Sequence, residues 1–262
     1  MGSSFDRIRF ASRLATRRLG GTIITRAVVG STNDEAWAAC AANAPDGTVV
    51  VADAQTRGRG RGGRSWHTAP GQGLALSVLL RQGCEWPALG LLPLVAGLAV
   101  AQALERLGGA PALKWPNDVL LGDRKVAGVL CETRRGAAVV GAGITLGQAA
   151  DEFPEEIAAT ATSLALAGVN SPREDVAAAF VGALETRWDA LRRDGPAALI
   201  EAWRARAAFW GREVTVRAGG GELRGVARGL DADGALRLAL ADGTETVVRA
   251  GDLEPGAAEA RA

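Results

Sequence analysis

Lysine is almost absent from this chain. Of its 30 basic residues only Lys114 and Lys125 are lysine, tyrosine is missing, and the only methionine is Met1. This bias indicates pressure towards arginine wherever a simple positive charge suffices. The two lysines therefore predict positions where a compact ammonium reaches between crowded oxygens that a planar guanidinium cannot enter. Chance is the plain alternative, although two of only four asparagines, Asn33 and Asn117, also fall in the motifs described below.

Cysteine and net charge are equally scarce, and their scarcity excludes several functional classes. The three cysteines, Cys40, Cys84 and Cys131, are far apart and form neither a disulfide framework nor a metal-binding motif. This usage is typical of a protein from a reducing cytoplasm. The net charge is +1 and the isoelectric point is near 7.8. No overall charge therefore attracts the chain to nucleic acid or to an anionic membrane.

The chain also lacks a long, uninterrupted apolar run. Its arginine-rich N-terminus has no apolar core of the length that a signal peptide needs. The most apolar stretch, Leu89–Leu107, contains Pro93, Gln102 and Glu105, which predicts a buried helix and not a membrane span. The chain has 262 residues, 48% hydrophobic and 23% charged. This composition predicts a globular protein with one sizeable domain and one small one.

Hydrophobic periodicity predicts alternating strands and helices over most of the chain, although residues 1–21 receive no assignment. The predicted strands are Thr22–Val29, Thr48–Asp53, Leu74–Leu80, Ala112–Trp115, Val126–Thr133 and Ala138–Thr145. Four helices are predicted. The first, Thr32–Ala44, opens with a Thr32-x-x-Glu35 capping box, and the second, Leu89–Leu107, is closed by Gly108-Gly109. The third is capped by Ser171 and has Pro172 and Glu174 in its first turn, and the fourth is Ala197–Ala208. The third of these has a predicted buried face of Val176, Phe180, Leu184, Trp188 and Leu191.

The sequence changes character after Trp210. Short alternating segments are joined by glycine-rich turns, and Leu236, Leu238 and Leu240 alternate with Arg237. This pattern predicts β-hairpins that form a small barrel. We therefore expect an α/β (α+β) domain with a mixed β-sheet and flanking helices over residues 1–208, a small barrel over 209–255, and a tail over 256–262.

The first motif that points to chemistry is the loop Gln55-Thr56-Arg57-Gly58-Arg59-Gly60-Arg61-Gly62-Gly63-Arg64-Ser65-Trp66. Glycines let the backbone approach a ligand and offer N–H groups to anions. The arginines add charge-assisted hydrogen bonds to phosphate or carboxylate, and Trp66 offers a flat face to a base. An RNA-binding Arg-Gly segment is the alternative. Such segments are usually repeated, whereas this one occurs once between two predicted strands, which favours an anion-binding loop for a small molecule.

Two further motifs lie on either side of this loop. Ser31-Thr32-Asn33 joins a strand to a helix, where it is either an ordinary N-cap or a set of groups that holds a polar ligand. In the segment from Lys114 to Gly128, Asn117-Asp118 alone predicts a turn after Pro116. The flanking lysines favour a binding site instead, and Gly128 predicts a close approach to another part of the structure.

Together and in this order, the motifs resemble those of the biotin–protein ligases. The matching elements are the Ser-Thr-Asn cap, the Gly-Arg-Gly-Arg-x-Gly-Arg-x-Trp loop, Lys-Trp-Pro-Asn-Asp, the Lys-x-Ala-Gly-Val-Leu strand, the strand at Gly141–Ile144 and the C-terminal hairpins. The resemblance implies an α/β catalytic domain followed by an SH3-like domain. It also implies ATP-dependent biotinylation of a lysine on a biotin carboxyl carrier domain by way of biotinyl-5′-adenylate. Such a reaction joins two anions, so it needs dense, preorganised positive charge.

The resemblance implies the following binding residues. The ureido end of biotin is held in the family by residues that match Ser31, Thr32, Asn33 and Gln55. Its carboxylate and the phosphate lie beside residues that match Arg59, Gly60, Arg61 and Lys125. The loop and the base site are shaped by residues that match Gly58, Arg64, Trp66, Asn117 and Gly128. The expected catalytic residues are Lys125, Arg61, Asp118 and Lys114. We expect Asp118 to orient or deprotonate the acceptor lysine, or to help hold Mg²⁺.

Two positions depart from the family pattern. Gly62 stands where several members of the family carry arginine, and a looser loop is the expected effect. Thr145 stands where the family usually has asparagine, which predicts weaker or different contacts to the nucleotide. The only histidine, His67, follows the loop tryptophan, and we expect it to serve in packing or stacking.

Alternatives to a biotin ligase remain open at this level. A lipoate– or octanoate–protein ligase shares the fold and the adenylation chemistry, but the arginine-glycine loop and the C-terminal barrel favour biotin. A catalytically silent biotin-binding module is less compatible with two retained lysines. Only 30 residues precede Ser31, too few for a winged helix-turn-helix domain and a linker, so we expect no sequence-specific DNA binding. The expected partner is a carrier domain, with no nucleic acid or membrane, for a cytoplasmic monomer or homodimer.

Overall fold

The computed structural model describes residues 4–81, 88–134, 136–207 and 209–256. Cys84, the predicted boundary at residue 208 and the tail from residue 257 lie outside them. The strands are β1 Ile23–Val29, β2 Val49–Gln55, β3 Gly73–Leu80, β4 Pro111–Lys114, β5 Asp118–Leu121, β6 Arg124–Arg134, β7 Ala137–Thr145, β8 Glu213–Ala218, β9 Gly221–Leu230, β10 Leu236–Ala239, β11 Glu245–Val248 and β12 Asp252–Pro255. The helices are α1 Arg7–Arg13, α2 Thr32–Ala41, α3 Leu92–Arg106, α4 Glu155–Ala158, α5 Arg173–Asp194 and α6 Ala197–Arg204.

The larger sheet has seven strands in the order β1-β2-β3-β7-β6-β5-β4. Its β1–β2 pair is parallel and the other pairs are antiparallel, so it is the mixed sheet that the sequence predicts. Successive side chains of a strand point to opposite faces. One face carries the main core, in which strand residues such as Leu76 and Val140 pack with residues of α3 and α5. The opposite face is covered over part of β2, β3 and β7 by α2, through Trp37, Val50 and Val139.

The smaller sheet is antiparallel and has five strands in the order β11-β10-β9-β8-β12. Leu236 and Leu238 are fully buried and Arg237 is exposed, as their alternation predicts. The sequence did not predict β12, which is short and follows a glycine. The two sheets meet at buried Trp115, whose indole Nε1 donates a 3.0 Å hydrogen bond to the carbonyl oxygen of Gly234.

Two predicted helix caps are wrong. Helix α2 starts after Ser31 without a side-chain cap, because Thr32 bonds to Gln55 and Glu35 pairs with Arg26 across a 3.3 Å gap. Helix α5 starts at Arg173 without a cap from Ser171, since Pro172 occupies the N-cap. The Glu174 carboxylate turns away and accepts the backbone N–H of Asp6 at 3.0 Å. Both capping glutamates are therefore used for tertiary contacts.

Other differences from the predicted elements are local. Helix α2 ends at Ala41, three residues early, and Asn43 follows it with a positive φ of 59°. The last predicted helix ends at Arg204. The Asn117-Asp118 turn is wrong in part, because Asp118 begins strand β5 and pairs with Lys114. The predicted buried face of α5 is correct at all five positions.

Segment Leu89–Arg106 is long and apolar enough to cross a membrane, judged by length and composition alone. In the structure it comprises a short 3₁₀ turn and α3, and eleven residues of α3 are buried. Helix α3 packs against α5 and the strands of the larger sheet. It is a core helix, as the polar residues within it predict.

Candidate functional site

A row of paired residues crosses the open face of the larger sheet. The registers join Ala52 to Ala75, Ala75 to Gly143, Gly143 to Gly128, Gly128 to Asp118 and Asp118 to Lys114. Residues directly opposite each other in neighbouring strands share a face of the sheet. The row therefore begins with small residues and ends with a carboxylate and an ammonium. We call these six residues the floor row.

Trp66, the last residue of the glycine-rich loop, lies over the middle of the floor row. A methyl group added at Gly143 would overlap its indole, and one added at Gly128 would come within 3.2 Å of it. The indole Nε1 donates a 2.8 Å hydrogen bond to Thr68 Oγ1. The two glycines are therefore required by a close approach, as the sequence predicts for Gly128, and Trp66 is held by a defined partner.

Lys125 and Asp118 form an ion pair beside Trp66. Lys125 Nζ lies 2.7 Å from Asp118 Oδ1 and 5.6 Å from the centroid of the Trp66 ring. A methyl group at Gly128 would lie 3.1 Å from Lys125 Cε and 3.2 Å from its Nζ. The ammonium borders a carboxylate, an indole and bare backbone and is partly exposed, so a wider guanidinium would disturb at least one of these contacts.

The backbone of Lys125 is fixed by a neighbouring segment. Its N–H donates to the carbonyl of Thr160 at 2.7 Å, and its carbonyl accepts from the N–H of Thr162 at 2.8 Å. The same segment continues to Leu164, whose N–H donates to the carbonyl of Thr145 at 3.0 Å. Residues 160–164 thus bond to the end of β7 and to the start of β6, and they hold Lys125 in place.

Arg61 lies between Asn117, which precedes β5 of the larger sheet, and Gly251, which precedes β12 of the smaller sheet. Its Nη1 is 3.2 Å from Asn117 Oδ1 and 3.3 Å from the carbonyl oxygen of Gly251. Burial lowers the pKa of the guanidinium below its usual value, and the charge of Arg64 acts in the same direction, while Asp252 and Asp118 act against it. The site therefore holds a partly desolvated cation, which acts more strongly on an anion than a hydrated one.

Asn117 and Arg64 connect this cation to its surroundings. Asn117 is buried and donates from Nδ2 to the carbonyl of Val129 at 3.0 Å, so its Oδ1 is aimed at Arg61. Arg64 Nη2 lies 2.6 Å from Asp252 Oδ1 in β12. The smaller sheet thus contributes Gly251 and Asp252 to the loop. The sequence analysis missed both residues, because a glycine followed by an aspartate in a C-terminal turn gives no signal of a contact with the loop.

The glycine-rich loop is folded back on itself. Arg59 and Ser65 form an isolated antiparallel β-bridge. The Gly60 N–H donates to the carbonyl of Arg64 at 2.6 Å, and the Trp66 N–H donates to the carbonyl of Gly58 at 2.9 Å. Gly62 and Gly63 have φ angles of 63° and 77°. These left-handed angles favour glycine, so Gly62 suits the turn better than an arginine would.

Arg59 belongs to a different cluster from the other loop cations. Its guanidinium lies 2.7 Å from Asp34 Oδ1 and 3.0 Å from Glu132 Oε1. The Glu132 carboxylate also accepts a 2.8 Å bond from Trp37 Nε1. The hydrogen bond to Asp34 and the charge of Glu132 raise the pKa of Arg59. The structure therefore brings Arg61, Arg64, Trp66, Asn117, Asp118 and Lys125 together and directs Arg59 to the edge formed by α2 and β6.

A buried polar cluster lies where β1 leads into α2. Gln55 Oε1 accepts the backbone N–H of Thr32 at 2.8 Å. Ser77 Oγ lies 2.8 Å from Thr32 Oγ1 and 2.7 Å from Asn33 Oδ1. Ser31, Thr32, Asn33 and Ser77 are each less than 5% exposed. The sequence analysis missed Ser77, although it is the only polar side chain in the apolar strand β3, which is the signal that could have identified it.

A narrow pocket of about 10 Å³, room for about one water molecule, lies between this cluster and the loop. Asp53, Gln55, Trp66, Thr68 and Ala75 are among the residues that line it. Its walls therefore combine the polar end of β2, the stacked indole and the small residues of the floor row. A ligand that widened this pocket would meet polar groups at the end of β2 and apolar atoms at Trp66 and Ala75.

The remaining predicted site residues have fewer contacts. Among the residues that the structure describes, Lys114 makes no side-chain hydrogen bond or ion pair, although it ends the floor row. His67 is exposed, while Thr145 is 4% exposed and continues the alternation of Gly141 and Gly143. Burial raises the pKa of the Cys131 thiol to about 12, which makes it a packing residue and not a nucleophile.

Asp118 is the residue to which the sequence analysis assigned a metal. Within the described ranges, no group of three or more His, Cys, Asp or Glu side chains could hold a metal ion. One carboxylate is a sufficient protein ligand for Mg²⁺ only when the other ligands are water and substrate phosphates. The donors of this site therefore fit a Mg²⁺ ion that arrives with a nucleotide.

Comparison with known proteins agrees with this geometry. The Biotin/lipoate A/B protein ligase family matches residues 26–148, and the Biotin protein ligase C terminal domain matches residues 209–253. A biotin–acetyl-CoA-carboxylase ligase of Mycobacterium tuberculosis is 40% identical over 235 residues, which cover 87% of this chain and 86% of that protein. A bifunctional ligase/repressor BirA of Bacillus spizizenii is 35% identical over 260 residues, 97% of this chain and 79% of that protein. A solved structure of a biotin protein ligase from Aquifex aeolicus in complex with biotin and ATP has a TM-score of 0.79 and 31% identity, and the match covers 90% of this chain and 99% of that chain.

Proposed function

The chain belongs to the biotin protein ligase family, and on that premise we propose that it transfers biotin to a lysine of a biotin carboxyl carrier domain in two steps. A carboxylate oxygen of biotin attacks the α-phosphorus of ATP, and the bond to pyrophosphate breaks to give biotinyl-5′-adenylate. The amine of the acceptor lysine then attacks the acyl carbon, and AMP leaves. In this proposal residues 1–208 form the catalytic domain and 209–255 the SH3-like domain, and the enzyme works in the cytoplasm.

The observation that carries the proposal is the floor row under Trp66. The alanine end of the row gives a flat surface on which a bicyclic ring can lie, while Trp66 covers Gly128 and Gly143 and stands where an adenine could stack. The row ends with Asp118, which is paired with Lys125 at 2.7 Å, and Lys114. A substrate laid along it would bring its carboxylate to the cations Lys125, Arg61 and Lys114.

The cations would serve the first step. Lys125 and the partly desolvated Arg61 offset the repulsion between the carboxylate and the α-phosphate, and they stabilise the charge that develops on the phosphoryl oxygens. Lys114, which has no partner among the described residues, is available to the leaving pyrophosphate. Mg²⁺ carried by ATP would neutralise the phosphates. Asn117 would bind the base, while Gly58, Gly60 and Arg64 shape the loop and Arg59 fastens it.

Asp118 would act in the second step. An acceptor amine must lose its proton to attack, and the Asp118 carboxylate lies beside the position where the acyl phosphate would be held. Its contact with Lys125 keeps it oriented until the acceptor arrives. Removal of that carboxylate therefore slows transfer from the adenylate more than it slows adenylate formation.

A lipoate ligase is the second candidate, since the matching family includes lipoate ligases. The buried cluster of Ser31, Thr32, Asn33, Gln55 and Ser77 favours biotin. A ureido ring has two N–H donors and one carbonyl acceptor, whereas the dithiolane ring of lipoate has neither. Buried polar groups left without partners by the wrong ligand reject it strongly.

The test is release of pyrophosphate from Mg·ATP with biotin, lipoate or octanoate supplied separately. We expect release with biotin alone, followed by transfer of label to a purified carrier domain. Release with lipoate or octanoate would assign the chain to the other branch of its family. Measurable binding of biotin without release would identify a silent binding module.

A further inference from the structure

Residues 4–19 form a strap that has no role in the reaction described above. Helix α1 opens with Asp6, whose carboxylate accepts the N–H groups of Ile8 and Arg9 at 2.9 Å. Phe5, Phe10 and Leu19 are buried in the main core. We call residues 4–19 the N-terminal strap. It is integrated into the larger domain by apolar burial and not merely attached to its surface.

Carboxylates of α5 fasten the strap along most of its length. Arg9 Nε and Nη2 each donate a 2.8 Å bond to Asp175. Further along, the Glu185 carboxylate accepts the backbone N–H groups of Arg17, Arg18 and Leu19 at 2.7, 2.8 and 2.7 Å. These contacts attach the strap to a helix that lies behind the sheet, on the face away from the floor row.

The first residue of the strap reaches the pocket. The backbone N–H of Ser4 donates to Asp53 Oδ2 at 2.7 Å, and Arg173 Nη1 donates to Asp53 Oδ1 at 2.7 Å. Arg173 Nη2 also donates to Ser4 Oγ at 3.1 Å, and its guanidinium lies 5.2 Å from the centroid of the Phe5 ring. Both oxygens of Asp53 are therefore held, one by the strap and one by the start of α5.

Asp53 stands two residues before Gln55 on β2, and both residues line the pocket. Gln55 in turn holds the backbone N–H of Thr32, where α2 starts beside the polar cluster. The carbonyl of Asp53 accepts from the N–H of Gly71, which follows the loop, at 3.4 Å. The end of β2 thus connects the strap, the loop and the polar cluster.

We propose that the N-terminal strap is part of the biotin-binding site, because Ser4 and Arg173 hold Asp53 and thereby fix the end of β2 that carries Gln55. Asp53, Arg173 and Ser4 are positioning residues. This inference rests on the proposed function and goes beyond it, since it assigns a role in binding to a segment that lies outside every motif. A strap that only stabilised the fold would leave the affinity for biotin unchanged.

The chain supplies a matched control for the test. Arg9–Asp175 and Arg173–Asp53 are both Arg–Asp pairs that tie the strap to its surroundings, at 2.8 and 2.7 Å. One pair lines the pocket through Asp53, and the other does not. Comparison of Asp53→Asn and Arg173→Gln with Arg9→Gln therefore separates positioning from general stabilisation.

The measurements are kcat, the KM for biotin and the KM for ATP in the pyrophosphate-release assay, calorimetric binding of biotin alone, and the thermal midpoint. We expect Asp53→Asn and Arg173→Gln to raise the KM and Kd for biotin by about fivefold to tenfold, with kcat and the KM for ATP within about twofold of wild type. Arg173→Lys, which keeps a charge opposite Asp53, recovers part of the affinity. Arg9→Gln lowers the thermal midpoint and leaves biotin binding unchanged.

Two results would overturn the inference: an unchanged biotin KM in both pocket variants, or an equal rise in Arg9→Gln. Ser4→Pro removes both contacts of this exposed residue, the backbone donor to Asp53 and the hydroxyl that accepts from Arg173. It provides a readout if Asp53→Asn fails to fold, and it too must weaken biotin binding. A wild-type protein that releases no pyrophosphate with biotin would instead defeat the proposed function. The two failures are thus distinguishable.

Discussion

The two faces of the seven-stranded sheet are built from the same strands, but one carries the main core and the other carries a small apolar cluster under α2 beside the candidate site. Three consecutive residues of β3 show the division. Leu76 is fully buried in the main core, whereas Ala75 lies in the floor row and Ser77 in the polar cluster on the other face. Residues that are adjacent in sequence therefore belong to the core on one side and to the candidate binding site on the other.

The face that carries the floor row, which we call the open face, gains less packing energy than the other face. A fully buried leucine contributes about 1.5–3 kcal/mol relative to an exposed one. Gly128 and Gly143 contribute no side chain at all, and the space they leave is taken by Trp66 and Lys125. Packing energy is thus concentrated on the face covered by α3 and α5, whereas the glycines of the other face make room for Trp66 and Lys125. Substitutions on the two faces should separate activity from stability.

The largest expected effect is that of Lys125→Arg on the open face. A guanidinium would disturb at least one of the contacts with Asp118, Trp66 and Gly128, so we expect kcat/KM for adenylation to fall by about 10²- to 10³-fold. The midpoint of thermal unfolding should change little, because Lys125 is partly exposed. Arg124→Lys, at the exposed neighbouring position, is the control and should be neutral. A Lys125→Arg enzyme with wild-type kcat/KM would contradict the assigned role.

On the packed face, Leu76→Ala should act on stability alone. Loss of a fully buried leucine costs about 3 kcal/mol in the free energy of unfolding, from lost transfer energy and the cavity left behind. Chemical denaturation measures this change, and kcat/KM per folded molecule should be preserved. Leu76→Met, which conserves volume, should cost less than about 1.5 kcal/mol. Equal losses of activity and stability would show that the two faces are not independent.

Gly143→Ala sharpens the comparison by adding a side chain to the open face. The new methyl group overlaps the Trp66 indole, so the ring must move from its place. We expect the KM for ATP to rise about tenfold through lost stacking of the base, with little change in the unfolding midpoint. Gly229→Ala is a matched control, because a methyl group there meets no atom within 4 Å. An unchanged KM for ATP would exclude Trp66 from the base site.

The smallest expected effect concerns Glu185, behind the packed face. Burial alone would raise its pKa, but hydrogen bonds from the backbone of Arg17, Leu19 and Arg18 and the charge of Arg18 lower it below its ordinary value. A depressed pKa contributes stability above the pKa of the unfolded chain, about 4.3, and this contribution is lost as the pH falls through the folded value. Glu185→Gln should therefore cost about 1 kcal/mol at neutral pH and progressively less below about pH 4. Parallel stability curves for wild type and variant would contradict the assignment.

Much of the fold and part of the site could be predicted from the sequence. The apolar runs of β3 and β7, the spacing of Val176, Phe180 and Leu184, and the glycines after α3 predict elements that the structure contains, because each depends on a local period or a local φ angle. The capping boxes predicted at Glu35 and Glu174 were wrong because a contact outside the helix decides where each carboxylate lies. Glu35 pairs with Arg26 of the preceding strand and Glu174 accepts the backbone N–H of Asp6 in the N-terminal strap, and a pattern within the helix does not encode that competition.

The sequence by itself determined which residue types are present for the chemistry: two lysines in a chain of arginines, a glycine-rich loop that ends in tryptophan, and an Asn-Asp pair between the lysines. Only the tertiary structure decided how they meet. The strand registers align Lys114, Asp118, Gly128 and Gly143 in one row, the smaller sheet brings Gly251 to Arg61, and the strap brings Ser4 to Asp53. These contacts join segments up to 190 residues apart, and they depend on register and packing, which are properties of the whole chain and not of any local stretch.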